Sequence, residues 1–94
     1  PTNIMSNKRD LKKAIRNICT ELFTECASAA LYCAKDQKEN GEALLTSIVA
    51  LNNNYICRVS HPESGMKANA YYKNLIQDFN KEAAAIIDQI QTIA

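Results

Sequence analysis

Glycine and proline are scarce in this chain, two of each among 94 residues, and tryptophan is absent. So few turn-formers exclude a disordered or disulfide-knotted chain and leave a folded, regular, turn-poor one. An excess of one charge is missing as well. Eleven basic against ten acidic side chains leave a net charge of +1, so no global field exists to hold nucleic acid or an anionic membrane by electrostatics alone. The longest nearly apolar stretch, Ala27 to Ala34, falls far short of the roughly 20 residues a membrane span needs. No signal pattern of basic, apolar and small residues opens the sequence, so a cytoplasmic protein is expected. With one histidine and no C-x-x-C pair, the usual zinc spacings are missing. Glycine-rich phosphate loops, paired-carboxylate sites and nucleotide fingerprints are missing too. No metal site, no cofactor and no catalytic residue are expected, and the chain is read as a non-enzyme.

What is present is helical periodicity. Leu11, Ile15, Ile18, Leu22, Cys26, Ala29, Ala30 and Cys33 recur at three and four, the spacing of one helix face. Ser6 or Asn7 suits the start as a cap, and Asn40-Gly41 is read as a left-handed stop. Leu44, Leu45, Ile48, Leu51, Tyr55 and Val59 continue the period, although Asn52-Asn53-Asn54 is a poor helix-former. Ser60 to Gly65 then breaks the pattern, because proline disfavours the helical conformation before it, and Ser60 with Glu63 matches a capping box. From Met66, the positions Ala68, Tyr72, Leu75, Phe79, Ala83, Ile86, Ile90 and Ile93 form the clearest amphipathic helix.

The expected architecture is therefore one all-α domain over residues 1–94, an up-down-up three-helix bundle with helices over about 7–39, 42–59 and 66–93. Ile18, Leu22, Ile48, Leu51, Leu75, Phe79, Ile86 and Ile90 are its predicted core. The lengths do not match: a first helix of about 32 residues outruns a second of about 18 by roughly 20 Å. Either the first helix breaks near its middle or the overhanging stripes pair with a second copy, and a homodimer is the favoured expectation. Met5, following Pro1-Thr2-Asn3-Ile4, reads as a natural start.

Cys19, Cys26 and Cys33 are spaced by seven. Such residues lie about 10.5 Å apart along a helix axis, too far for a mutual disulfide or a shared tetrahedral zinc. They read as small buried hydrophobes that drift across the apolar stripe, from its shoulder at Cys19 to its centre at Cys33. Cys57 points away from the second helix's stripe, which makes it a candidate interface or reactive thiol, with ordinary packing as the competing reading. The loop Arg58-Val-Ser-His-Pro-Glu-Ser64 holds the residue types of a catalytic triad. Ser60 and His61 are chain neighbours on a stiff turn with no oxyanion loop, so capping and turn formation fit better. Lys8, Arg9, Lys12, Lys13 and Arg16 form a local basic cluster suited to an anionic partner, or else simply a solvated face. The tyrosines are expected to bury their rings and leave their hydroxyls wet.

"ICTELFTEC" at Ile18–Cys26 and "NYICRVSHPE" at Asn54–Glu63 resemble segments of small all-helical proteins of uncharacterised function from Bacteroidetes-type bacteria. The resemblance implies a short cytoplasmic bacterial protein and carries over no site residues. Taken together, the sequence predicts a helical protein–protein interaction or self-association module. The alternative is a small regulatory or nucleic-acid-associated protein that uses the basic start of the first helix.

Overall fold

The computed structural model describes residues 8–62, 65 and 67–94. Three α-helices, α1 (Lys8–Tyr32), α2 (Lys38–Ser60) and α3 (Ala68–Ile93), form the bundle, with a single 3₁₀ turn at Lys35–Gln37 between the first two. Among the described residues there is no strand. The caps predicted at Ser6 and Asn7, the Met5 start, and the Glu63 half of the capping box lie outside the described residues.

Each helix buries one stripe. Leu11, Ile15, Cys19, Leu22 and Cys26 of α1 meet Leu44, Ile48, Leu51, Tyr55 and Val59 of α2, and Tyr72, Leu75, Phe79, Ile86 and Ile90 of α3 complete one core. The order is up-down-up. Ala30 near the end of α1 touches Gly41 near the start of α2, and Ile93 at the end of α3 reaches the same point. At the other end, hydroxyls from the start of α3 meet carbonyls at the end of α2.

The break between α1 and α2 differs from the expectation of one helix over 7–39 and a stop at Asn40-Gly41. Ala34 is extended, with φ −61° and ψ 152°, and the chain reverses there. Lys38 holds the reversal by donating from Nζ to the carbonyls of Ala30 at 2.8 Å and Leu31 at 3.0 Å, which otherwise lack helical partners. Gly41 is not a stop. It lies buried inside α2, where a Cβ atom would come within 2.8 Å of the Ala30 Cβ, so its bareness lets two helices approach closely. The helices consequently have 25, 23 and 26 residues, and the overhang that favoured a dimer is absent. Of the two readings the sequence left open, the broken helix is the one observed.

Two further expectations change. Ile18, predicted as core, is 38% exposed, because it sits on the edge of the α1 stripe facing the open side of the α1/α3 seam. Cys33 is half-buried rather than central, since α1 ends one residue before it. The other seven predicted core residues are all buried. The Asn52-Asn53-Asn54 run stays helical, its propensity cost overridden by burial of Leu51 and Tyr55 on either side.

Candidate interaction surface

Two tyrosine hydroxyls at the edge of the core are tied to the end of α2. Tyr71 and Tyr72 have buried rings packed edge to face at 5.3 Å, and their hydroxyls donate to the carbonyls of Arg58 at 2.9 Å and Val59 at 3.1 Å. Two free carbonyls in the last turn of α2 are thus satisfied from the start of α3. These hydroxyls are bonded rather than wet, and Tyr32, 83% exposed, buries no ring at all. Both outcomes correct the expected pattern.

Tyr55 anchors the middle of the α2/α3 contact. Its ring is buried against Phe79 at 5.2 Å, Arg58 lies over it at 4.7 Å, and its hydroxyl donates to the Glu82 carboxylate. Arg58 also pairs with Asp78 at 3.6 Å. Burial, followed by the hydrogen bond and charge of Glu82, pushes the Tyr55 hydroxyl up to about 12. Such a shift favours the neutral, hydrogen-bonded form. The group joins two helices through a buried ring, and its work is structural.

Ser60 Oγ donates to the Ile56 carbonyl at 3.1 Å, a local helix bond rather than a link to His61. His61 is exposed, and its backbone N–H closes α2 on the Cys57 carbonyl. Cys19 and Cys26 are buried, and burial raises both thiols, which keeps them protonated and inert. Cys26 Sγ rests 3.8 Å from the Gly41 carbonyl, inside the close α1/α2 crossing. Cys57 is exposed on the side of α2 turned away from the core. No group of three or more His, Cys, Asp or Glu side chains able to hold a metal gathers among the described residues. No described helix is long and apolar enough to cross a membrane.

The basic cluster occupies the first turns of α1. Lys8, Arg9, Lys13 and Arg16 are exposed and Lys12 is half-buried. Arg16 belongs to something larger, a shallow groove of about 350 Å³ on the outer side of the α1/α2 pair. Phe23 from α1 and Val49 from α2 flank it, 41% and 48% exposed, with Thr20, Asn52 and the buried Cys19 between them. The half-buried Leu45 and Ile56 fall on the same side of α2 as Val49, at i−4 and i+7. Periodicity missed this surface because it has no separate signal: Phe23 and Val49 sit one step beside stripes that already account for the core. The sequence placed Cys57 and the basic cluster as separate candidates. The structure continues the cluster into an apolar groove through Arg16 and leaves Cys57 on the solvent side of α2.

No family model, curated protein or solved structure matches the chain, and nothing among them bears on a Bacteroidetes-type origin.

Proposed function

We propose that this chain is a helical protein–protein interaction module that works through the outer α1/α2 face. One observation carries the reading: Phe23 and Val49, both substantially exposed, stand on either side of a groove whose flanks continue into the half-buried Leu45 and Ile56. Large side chains aligned across two helices, rather than scattered singly, are what a docking surface presents. Four free thiols suit a reducing compartment such as the cytoplasm. The basic start of α1 supplies charge at one end of this face, where it contributes orientation more than affinity.

The test compares the wild-type chain with Phe23→Glu/Val49→Glu as bait in extract from the native host. Proteins retained by the wild type, a second copy of the chain included, are expected to be lost from the double variant while its melting temperature at low concentration matches that of the wild type. Retention of the same set by both would end this reading. A parallel titration with DNA and RNA that showed tight, strongly salt-dependent binding would move the function to the basic cluster instead.

A further inference from the structure

We infer that α1 is exchangeable between copies of this chain. With residues 33–37 straightened, α1 and α2 become one helix, and α1 takes on a second copy the seat that the second copy's own α1 vacates. That seat is the core already described, so the inference stands apart from the outer α1/α2 face and from what docks there.

The apolar stripe carries it. Leu11, Leu22, Cys33, Leu44 and Tyr55 recur every eleven positions, and so do Ile15, Cys26, Gln37, Ile48 and Val59. All are buried except Cys33 and Gln37, which lie in the connection and are half-buried. Eleven residues make three turns plus about 20°, so the stripe crosses the reversal in phase, drifting only about 40° from Leu22 to Leu44. A helical hairpin needs no such continuity, because each helix is free to turn its own stripe inward. One continuous helix does need it. The edges of the stripe match as well. Ala14 and Ile18 line the α1/α3 seam, and Ala50 and Asn54, each 36 positions later, line the α2/α3 seam. Arg16 and Asn52, at the same spacing, both line the outer α1/α2 groove. That spacing is about ten whole turns. A straight helix therefore points both halves the same way, toward α3 on one edge and toward an antiparallel neighbour on the other.

The connection permits the change. Residues 8–60 hold no proline and one glycine, Gly41, which is helical already. Ala34 is the extended residue at the reversal. Lys38 Nζ occupies the Ala30 and Leu31 carbonyls, the same acceptors that the N–H groups of Ala34 and Lys35 would take in a continuous helix. Lys38 thus latches the hairpin against straightening. Register agrees too. Ala30 and Gly41, in contact, lie equally far in sequence from the midpoint between Lys35 and Asp36, as do Phe23 and Ile48, which share the outer groove. Two straightened helices laid antiparallel about a two-fold axis at that midpoint remake the same pairs between copies. Each α3 stays on its own α2 and covers the α1 of the other copy.

Refolding the full chain at concentrations from about 10 µM to about 1 mM, followed by gel filtration and small-angle X-ray scattering, tests the inference. The wild type is expected to yield a dimer toward the top of the range, where concentration matches the roughly millimolar effective concentration of a short connection. That dimer is expected to persist on dilution, because release requires α1 to leave the core, and to be about 80 Å long, against 48 Å for the single chain. Lys38→Ala removes the latch and is expected to dimerise at about tenfold lower concentration. Lys35→Pro is expected to stay monomeric throughout. Proline suits the first position of the 3₁₀ turn after an extended Ala34, but in a continuous helix it loses the bond to Leu31 and clashes. Where the proline chain does not fold, Lys38→Ala decides alone. If the wild type and Lys38→Ala both stay monomeric after refolding at about 1 mM, α1 is not exchanged. The inference is equally overturned by a Lys35→Pro chain that dimerises as readily as the wild type, or by a Lys38→Ala chain that dimerises no more readily. A dimer that keeps the single-chain length and dissociates at once on dilution is docking, not exchange, and overturns it too.

Discussion

Gly41 sets how closely α1 and α2 approach, and nothing local in the sequence says so. After Asn40 it has the form of a helix stop, and what gives it its actual role is Ala30, eleven positions earlier, whose Cβ would lie 2.8 Å from a Cβ at Gly41. Gly41→Ala gains about 1 kcal/mol of helix propensity, but the clash is with a methyl that has no rotamer to escape into, and overpacking costs typically 1–3 kcal/mol. Chemical denaturation is expected to show net destabilisation of about 1 kcal/mol, relieved when Ala30→Gly is added; a stabilised single variant would contradict the close crossing. Tyr55 was legible as core, yet its partner was not, since Glu82 lies 27 residues away on what reads as a solvated face. Its hydroxyl is pushed up to about 12 by burial and by Glu82, against about 10 in an unfolded chain. The folded state thus keeps a proton that the unfolded state releases. The stabilisation is complete below about pH 10 and is lost as the pH rises toward 12. Tyr55→Phe is expected to lower stability at neutral pH by about 1 kcal/mol and to flatten its decline through that alkaline window, read by denaturant unfolding at successive pH values. An equally steep decline in the variant would show that the Tyr55–Glu82 bond does not carry it.

At the scale of helices, the periodicity of three and four was enough to identify α2's buried stripe, most of α1 and α3 from Tyr72 onward, while at the start of α3 Ala68, read on the stripe, is exposed and Tyr71, left off it, is buried. It could not place the reversal at Cys33-Ala34, because Leu31 to Asn40 holds no glycine or proline and every residue there is compatible with a helix. The turn exists because tertiary contacts outweigh local preference: Lys38 draws the two helix ends together, and Gly41 lets them pack. Periodicity also defines a stripe without defining its edges, and Ile18 fell on the wrong side of one. Ile48, 1% exposed, and Ile18, 38% exposed, therefore separate burial from pattern. Ile48→Ala is expected to cost roughly 2–5 kcal/mol through lost transfer energy and an unfilled cavity. Ile18→Ala is expected to cost less than about 1 kcal/mol, because a half-wet site leaves little cavity behind. Equal costs in urea unfolding would mean that the α1/α3 seam closes over Ile18 in solution.

For the whole molecule, the candidate site was the least legible part, since a surface shared by two helices appears only when their relative rotation is known. The basic cluster was visible in the sequence, but the groove it leads into needs Phe23 and Val49 brought side by side across the α1/α2 crossing. The matched helix lengths remove the overhang as a reason for dimerisation and leave the exposed Phe23 and Val49 as the surface on which docked association is tested. A second copy docked on the proposed face would couple to folding by mass action, because it would bind only the folded chain. Above the dissociation constant, each tenfold rise in concentration adds about 0.7 kcal/mol per chain, because the free copy rises only as the square root of the total, which for a domain of this size raises the melting temperature by roughly 3–6 °C. The wild-type melting temperature is accordingly expected to climb with protein concentration. Phe23→Glu, which places a charge in the apolar middle of the face, is expected to keep the low-concentration value throughout. Scanning calorimetry over two decades of concentration checks this, and a wild-type transition that stays fixed across them would show that folding and association are not linked through this surface.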